Sequence, residues 1–303
     1  MRRLSTLVLA AAATGALTAC GGGSAPAPPL DSDAAISLTG STSPIETAAD
    51  QAARSAAMVA RADFLVASTT YGETDDARIP RFRIVADCSG LRCTMQERTT
   101  GISWTITLDD LLDADAGAVR SRAILTRNGI TLLETRGGTA GPNYRVYGAW
   151  MIHGVFAVST GSESTLEADG TDITFTARGA QAAGDLSRSR PAAQATWRGV
   201  MVGTPARGGS RDNILQGDAA LAFDLGSLTL DAKFTNIVNL DRNSAHKVQE
   251  VRFDDVPVAT DGTYRAGGAG NRIQGGFAGP DHKETGGVFE QLGIIGAFGA
   301  LRE

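Results

Sequence analysis

The feature that most constrains the fold is a set of three glycine–aromatic blocks within the last 33 residues, 271–303. The first runs over Asn271–Pro280, the second over Gly286–Glu290 and the third over Ile294–Ala300, with a turn at Leu292-Gly293 before the third. Alternate residues of an extended chain share a face: Ile273, Gly275 and Phe277 in the first block, and Ile294, Gly296 and Phe298 in the third. Glycine relieves crowding where strands bend or where a ring packs on the backbone. The blocks therefore predict strands of a tightly curling antiparallel sheet.

The preceding segment, from about residue 190, alternates apolar and polar residues as half-buried strands do. The clearest alternation runs over residues 228–235. Its apolar members are Leu228, Leu230, Ala232 and Phe234, and its polar members are Thr229, Asp231, Lys233 and Thr235. The run Leu225–Leu228 predicts a two-residue hairpin with Gly226 in the first turn position, and Pro257 ends a later strand. Seven or eight strands thus fall within roughly 115 residues, which suits a small closed barrel filled by its own side chains.

The same C-terminal motifs resemble a known family. Gly-Gly-Phe-Ala-Gly-Pro at 275–280, Gly-Gly-Val-Phe at 286–289 and Ile-Gly-Ala-Phe-Gly-Ala-Leu-Arg at 295–302 look like the end of the transferrin-binding protein B β-barrel domain. The C-terminal barrel of factor H binding protein is similar. Leu301 stands where the family ending usually has lysine. The resemblance covers about 190–303 and includes Ala195–Gly199 and the hairpin at Asp224.

The resemblance implies the architecture. We expect a mainly β chain whose C-terminal eight-stranded antiparallel β-barrel (190–303) follows a handle-like α+β domain (36–180) with one Ala-rich helix. Residues 36–180 match the family loosely, in the place where such proteins carry a handle. The family binds host transferrin or complement factor H, and relatives bind haem, through loops of barrel and handle. No ligand-contacting residue can be carried over, because those loops are not matched.

The N-terminus has the pattern of a bacterial lipoprotein signal. Arg2 and Arg3 precede an apolar run, and Leu17-Thr18-Ala19-Cys20 matches the lipobox that signal peptidase II reads. We expect a signal peptide over 1–19, acylation of Cys20, and a flexible spacer over 20–35. Gly22 is not the aspartate that retains lipoproteins in the inner membrane, which favours the outer membrane. An ordinary secretory cut near Ala19 is the alternative.

Two local patterns describe the N-terminal half. Ser43 can cap a helix, Pro44 suits its first position and Glu46 completes a capping box, with an alanine-rich run to about Asp63. Period-two alternation from Arg81 onward predicts half-buried strands. The small, polar segment Gly179–Pro191 is the predicted domain boundary.

Cys88 and Cys93 are close in sequence, with Ser-Gly between strand-like runs. An exported chain permits a disulfide here, which would staple a hairpin. A redox or metal pair is the alternative, but four intervening residues do not make Cys-x-x-Cys, and no second Cys/His pair stands nearby.

Further along, Asn128-Gly129 predicts a tight hairpin. The segment Tyr144–Val158 predicts one long strand that bends at Gly148 or Gly154.

The chain contains no motif for catalysis, for a metal or for nucleotide binding, and we expect a non-enzymatic protein without a cofactor. A net charge of −5 argues against nucleic acid as a partner. The ligand site is unknown from sequence; His153 and His282 are the candidates, and a haem or small-solute carrier could also use His246. A structural envelope lipoprotein without a soluble ligand is the other alternative. Thr229, Asp231 and Lys233 make an outer face too polar for an integral outer-membrane barrel.

Overall fold

The structure, a computed structural model, describes residue 53 and residues 56–74, 82–108, 122–136, 145–166, 172–207 and 213–303. The predicted signal peptide, Cys20, the spacer and the predicted helix start at Ser43 lie outside these residues. Residues 56–59 are helical and the chain turns at 60–61, close to the predicted helix end at Asp63. No helix in the described part of the chain is long and apolar enough to cross a membrane.

The remaining described elements are almost all strands, which confirms the mainly β class. Ten form a first sheet: β1 (Phe64–Ala67), β2 (Thr70–Thr74), β3 (Phe82–Ser89), β4 (Arg92–Glu97), β5 (Ser103–Thr107), β6 (Arg122–Arg127), β7 (Ile130–Arg136), β8 (Arg145–Trp150), β9 (Gly154–Leu166) and β10 (Asp172–Gly184). Nine form a second sheet: β11 (Ala195–Pro205), β12 (Leu215–Asp224), β13 (Thr229–Asn239), β14 (Ser244–Ala245), β15 (Glu250–Pro257), β16 (Thr263–Gly268), β17 (Asn271–Ala278), β18 (Glu284–Gln291) and β19 (Ile294–Arg302). A 3-10 turn at Pro280–His282 joins β17 to β18.

Both sheets are antiparallel meanders with few crossovers. The first has the order β5-β4-β3-β2-β10-β9-β8-β7-β6, and β1 also pairs with β10. In the second, eight strands follow the order β15-β13-β12-β11-β19-β18-β17-β16, and the two-residue β14 also pairs with β13. Non-neighbouring strands therefore come together: β2 on β10, and the last strand, β19, on the first strand of its sheet, β11.

The second sheet curls as predicted, but it is not closed into a complete barrel. Its terminal strands β15 and β16 share only the single bridge Val258–Tyr264. Next to this gap, Asp255 has a φ of 54° and Pro257 has no backbone N–H to donate to a ladder. The predicted eight-stranded antiparallel arrangement is confirmed, whereas continuous hydrogen bonding around the cylinder is not present.

Aromatic rings fill the interior of the curled sheet. Phe234 stacks on Phe289 with ring centroids 4.4 Å apart, and Trp197 stacks on Phe277 at 4.7 Å. Inward-facing glycines make room for rings and for neighbouring backbone. A Cβ at Gly296 would meet the Phe289 ring, whereas at Gly287 and Gly275 it would first meet a neighbouring strand and then Phe298 and Tyr264. These contacts confirm the role predicted for the glycine–aromatic blocks.

A separate apolar layer joins the two sheets. Its buried members from the first sheet and the adjoining turn include Tyr147, Met151, Phe156 and Val158, and those from the second include Val200, Val202, Val288 and Ile295. At the centre, the Phe156 ring and the Met151 sulfur lie where a Cβ on Gly299 would project. Because the Phe156 ring and the Met151 sulfur occupy this position, the backbone of β19 approaches the first sheet closely.

Several local predictions are confirmed and two need correction. Cys88 and Cys93 are disulfide-bonded across the β3–β4 hairpin, and Asn128-Gly129 forms a two-residue turn with φ of 49° and 75°. The predicted long strand Tyr144–Val158 is wrong, since the chain reverses at 151–153 between β8 and β9.

The hairpin at Leu225 also differs from its prediction, because Asp224 pairs with Thr229 and four residues connect them. The predicted boundary segment Gly179–Pro191 overlaps the connection between the two sheets, residues 185–194. Its first residues, 179–184, belong to β10 and pair with β9 or β1.

We predict that Gly299→Ala destabilises the protein by about 1–3 kcal/mol, since the new methyl group must displace buried Phe156 or Met151. Gly268→Ala is the matched control, because a Cβ there meets nothing within 4 Å. The measurement is the midpoint of urea unfolding. Equal midpoints for the two variants would contradict close packing between the sheets at Gly299.

Candidate ligand-binding surface

The curled sheet has two ends with different neighbours. We call one the loop end; it carries the connections at 206–214, 240–249 and 269–270 and the turn Leu292–Gly293. The other, which we call the anchor end, carries Gly279–Lys283 and the last residue, Glu303, which pairs back onto Thr196. The antiparallel register fixes this division, because Pro205 pairs with Ile294 at one end and Trp197 with Arg302 at the other.

The N-terminal part of the described chain arrives at the anchor end. Just after the helical residues 56–59, Arg61 forms an ion pair with Asp185 at 3.4 Å. Asp63 accepts the N–H of Leu186 at 2.7 Å and contacts Arg188 at 3.0 Å. Arg61 and Asp63 therefore lie on the side of the curled sheet opposite the loop end.

Glu290 ties the loop end to the first sheet on one side. Its carboxylate accepts the N–H of Thr69 at 2.5 Å and the N–H of Gly270 at 2.8 Å, and it pairs with Arg272 at 2.8 Å. The Tyr71 hydroxyl lies 3.4 Å from the second oxygen. One buried carboxylate thus joins β2, β18 and the β16–β17 turn.

The environment of Glu290 keeps it ionised. Burial by itself raises the pKa of a carboxyl group, but the Arg272 guanidinium and the N–H groups of Thr69 and Gly270 outweigh burial and hold the pKa of Glu290 below its usual value. With only 2% of Glu290 exposed, these partners replace water around the charge.

A second set of charged contacts connects the first sheet to the other side of the loop end. Arg145 of β8 contacts Glu134 at 2.6 Å and Asp241 of the 240–249 connection at 2.7 Å. Burial favours the neutral form of Arg145, but Asp241 and Glu134 outweigh it and raise its pKa. The other Asp241 oxygen accepts the N–H of Ile214 at 2.8 Å. The first sheet therefore fixes the starting point of this barrel connection.

Leu292 is the most exposed large apolar side chain described at the loop end, with 61% of its surface accessible. It occupies the left-handed region, with φ of 52°, in the two-residue turn Leu292–Gly293. Asparagine is usual at such a position, and leucine costs about 1 kcal/mol there. The Ala206 N–H donates to Gly293 at 2.8 Å, which brings Arg207 next to this apolar tip.

His153, a sequence candidate, lies at the anchor end between the two sheets. Its Nδ1 is 3.5 Å from Asp185, and a Cβ on Gly279 would strike its ring. The buried Glu284 carboxylate accepts the N–H groups of Ile152 and His153 at 3.0 and 2.9 Å. Burial lowers the pKa of His153, and Asp185 opposes that shift. His153 has the surroundings of a packing residue.

His282 also lies at the anchor end. Its Nε2 contacts the carbonyl oxygen of Ser189 at 2.8 Å, and its ring meets Phe277 edge-on at 5.7 Å. His246 instead lies in the 240–249 connection, where its Nδ1 accepts the Val248 N–H at 3.2 Å and burial lowers its pKa.

The three histidines do not converge on a common site. His153 and His282 lie at the anchor end and His246 lies near the loop end. Among the described residues, no three His, Cys, Asp or Glu side chains are grouped to hold a metal ion. Cys20, the predicted lipid attachment site, lies outside those residues, and the Cys88–Cys93 bridge belongs to the first sheet.

Sequence reasoning did not single out Tyr71, Arg83, Arg207 or Glu290. Only the Leu292-Gly293 turn gave a usable signal, since a leucine before glycine at a hairpin tip is unusual. The others become neighbours through the pairing of β2 with β10 and the packing of one sheet on the other, which no local pattern encodes.

No family model matches the sequence, and no curated protein matches it. Solved structures do match. The intact transferrin-binding protein Ap-TbpB, with N and C lobes, is 16% identical and aligns 75% of this chain with 48% of its own, at a TM-score of 0.31. The isotype 1 transferrin binding protein B of serogroup B Neisseria meningitidis is 14% identical over 78% of this chain and 42% of its own, at 0.35.

The N-lobe of lactoferrin binding protein B from Moraxella bovis is 11% identical over 58% of this chain and 81% of that one, at a TM-score of 0.31. This chain thus spans about half the length of the intact proteins it matches. The predicted resemblance to the transferrin-binding protein B family is confirmed as a resemblance. At these TM-scores it carries no argument about ligand or mechanism.

The Glu290 site makes stability depend on pH. Because the folded pKa of Glu290 is lowered, its contribution is present above the usual glutamate pKa and is lost as the pH falls through the folded value. We predict that Glu290→Gln, which leaves Arg272 buried without its carboxylate, costs about 3 kcal/mol at neutral pH. The variant should also lose less stability than the original chain between neutral pH and about pH 3.5.

Urea unfolding at both pH values measures this effect. Glu250→Gln is the control, because its carboxylate is 48% exposed and pairs with exposed Lys233, so its midpoint should stay unchanged. Identical pH dependence in the Glu290→Gln variant and the original chain would contradict an ionised Glu290.

Proposed function

We propose that this chain is a lipid-anchored, surface-displayed outer-membrane protein that captures a ligand without chemical turnover, through loops of the barrel and handle. The ligand is a protein or an iron or haem source. Acylated Cys20 fixes the chain to the outer membrane, and the spacer 20–35 separates the lipid from the folded part. The lipobox and the C-terminal family motifs support this proposal.

The main support for the proposal is that the two ends of the curled sheet carry different parts of the chain. Arg61 and Asp63, near the beginning of the described chain, lie at the anchor end, whereas the connections available for recognition lie at the loop end. Binding residues are commonly on loops held by a rigid scaffold. Glu290 and Asp241 supply that rigidity, because each joins a barrel connection to the first sheet.

Display on the cell surface is tested by protease treatment of intact cells. We predict that the chain is cleaved in unbroken cells and that mass spectrometry finds an acylated residue 20. Cys20→Ser is the control, since it removes the attachment point and should release the protein from the membrane fraction. Full protection in unbroken cells, with cleavage only after lysis, would rule out a surface receptor.

Capture by the loop end is tested with paired leucine variants of the acyl-free chain. We predict that Leu292→Asn weakens capture of a serum or envelope partner about tenfold or more, since burying a leucine contributes about 1.5–3 kcal/mol. Asparagine suits the left-handed turn, so the fold should be kept.

Leu225→Asn is the matched control, because Leu225 is 43% exposed in a turn at the anchor end. The measurement is the dissociation constant of the captured partner. Equal losses in both variants would argue against the loop end. Haem binding by a histidine would identify a carrier instead, and the absence of any partner would favour a structural lipoprotein.

A further inference from the structure

We propose that a basic patch at the loop end, formed by Tyr71, Arg83 and Arg207, recognises a carboxylate-rich segment of a protein partner. The inference rests on the proposed function and names the chemistry of its ligand. The patch lies beside Glu290, whose carboxylate connects the first sheet to the β16–β17 turn of the second sheet.

Strand pairing in the first sheet brings together two of the three patch residues, Tyr71 and Arg83. Tyr71 of β2 pairs directly with Arg83 of β3, and the Arg83 guanidinium lies over the Tyr71 ring, 5.7 Å from its centroid. Both side chains are half-buried. A guanidinium stacked on an aromatic face keeps its fork of donors free to meet a planar carboxylate.

The third patch residue, Arg207, follows β11 of the second sheet. Arg207 is exposed in the 206–214 connection, and its neighbour Ala206 bonds to the turn that carries Leu292. Burial and Glu290 raise the pKa of Tyr71, and the charges of Arg83 and Arg207 oppose them. Tyr71 and Ala206, the residue before Arg207, pack against the same buried apolar cluster, and the charges of Arg83 and Arg207 both act on Tyr71.

Arg83 and Arg207 differ from the arginines that form structural ion pairs. Arg127, Arg145 and Arg272 each contact a carboxylate, namely Asp218, Glu134 and Glu290. In the described part of the chain, neither Arg83 nor Arg207 has a carboxylate within ion-pair distance. The Arg83 Nε is also buried without a hydrogen-bond partner.

Charge-assisted bonds from arginine to carboxylate are among the stronger hydrogen bonds in proteins. Tyrosine and arginine are also the residue types most enriched at sites that dominate protein–protein binding. The nearby apolar Leu292, at 61% exposure, suits a protein segment that also carries an apolar side chain.

Other polyanions fit less well. Nucleic acid requires a long positive face, whereas this chain has a net charge of −5 and the patch contains two unpaired arginines. Anionic lipid is usually bound by clusters of about four to eight lysines or arginines, whereas the patch contains two arginines.

The test is a fluorescence anisotropy titration of fluorescein-labelled hexaglutamate with the full chain carrying Cys20→Ser. We expect salt-sensitive binding. Arg83→Gln and Arg207→Gln should each weaken it about fivefold, and the double variant more than tenfold. Arg83→Lys, which keeps the charge and loses the planar fork, should show an intermediate loss.

Arg198→Gln is the matched control, because Arg198 is 69% exposed near the anchor end and pairs with Glu303. It removes the same charge and should leave hexaglutamate binding unchanged. Urea midpoints of all variants separate lost binding from lost folding, and Arg207 is exposed enough for its substitution to leave the fold intact.

Three results would overturn the proposal: no binding of hexaglutamate, an equal loss in Arg198→Gln, or binding through these arginines only of phosphatidylglycerol vesicles or an oligonucleotide. The proposed function is tested separately. If the chain is displayed and captures a partner that the Arg83 and Arg207 variants capture equally well, the patch inference fails and the proposed function stands.

Discussion

Aromatic rings packed directly on glycine backbone are the interaction on which the rest of the structure depends. Inside the curled sheet, Phe289 covers Gly296 and Phe298 covers Gly287, so strands bend around rings without steric conflict. Between the sheets, Phe156 covers Gly299 in the same way. Glycines without a Cβ therefore permit both the curvature of the second sheet and its close approach to the first sheet, at positions where a ring or neighbouring backbone lies close.

Charged groups then fix how the two sheets sit at the loop end. The apolar layer is non-directional, since burial of apolar surface depends on area rather than geometry. Glu290 and Arg145 add direction, because their partners come from both sheets and from barrel connections. Buried pairs of this kind contribute little net stability, and their value here is in setting position. A surface that combines residues from two sheets needs such fixed geometry to recognise one partner.

The two ends of the curled sheet differ in how their polar and charged side chains are used. The anchor end uses its polar groups internally: Glu284 bonds to backbone N–H groups, and His282 bonds to Ser189. Large apolar side chains are exposed at both ends, Leu292 at the loop end and Ile152 and Leu225 at the anchor end. At the loop end, the Arg83 guanidinium also lies over the Tyr71 ring beside the buried Glu290 carboxylate.

Short-range sequence patterns determined the strand class, the Asn128-Gly129 turn, the Cys88–Cys93 hairpin and the glycine–aromatic interior, because period, turn chemistry and side-chain size act between near neighbours. They did not reveal the reversal at 151–153 or the gap between β15 and β16, since apolar residues continue through the first and the second depends on strands brought together by curling. Only the tertiary structure identified Tyr71, Arg83 and Arg207, in place of the histidines, as the candidate site. The physical reason is distance along the chain, because residues 71, 83 and 207 become neighbours only through strand pairing and the packing of one sheet on the other.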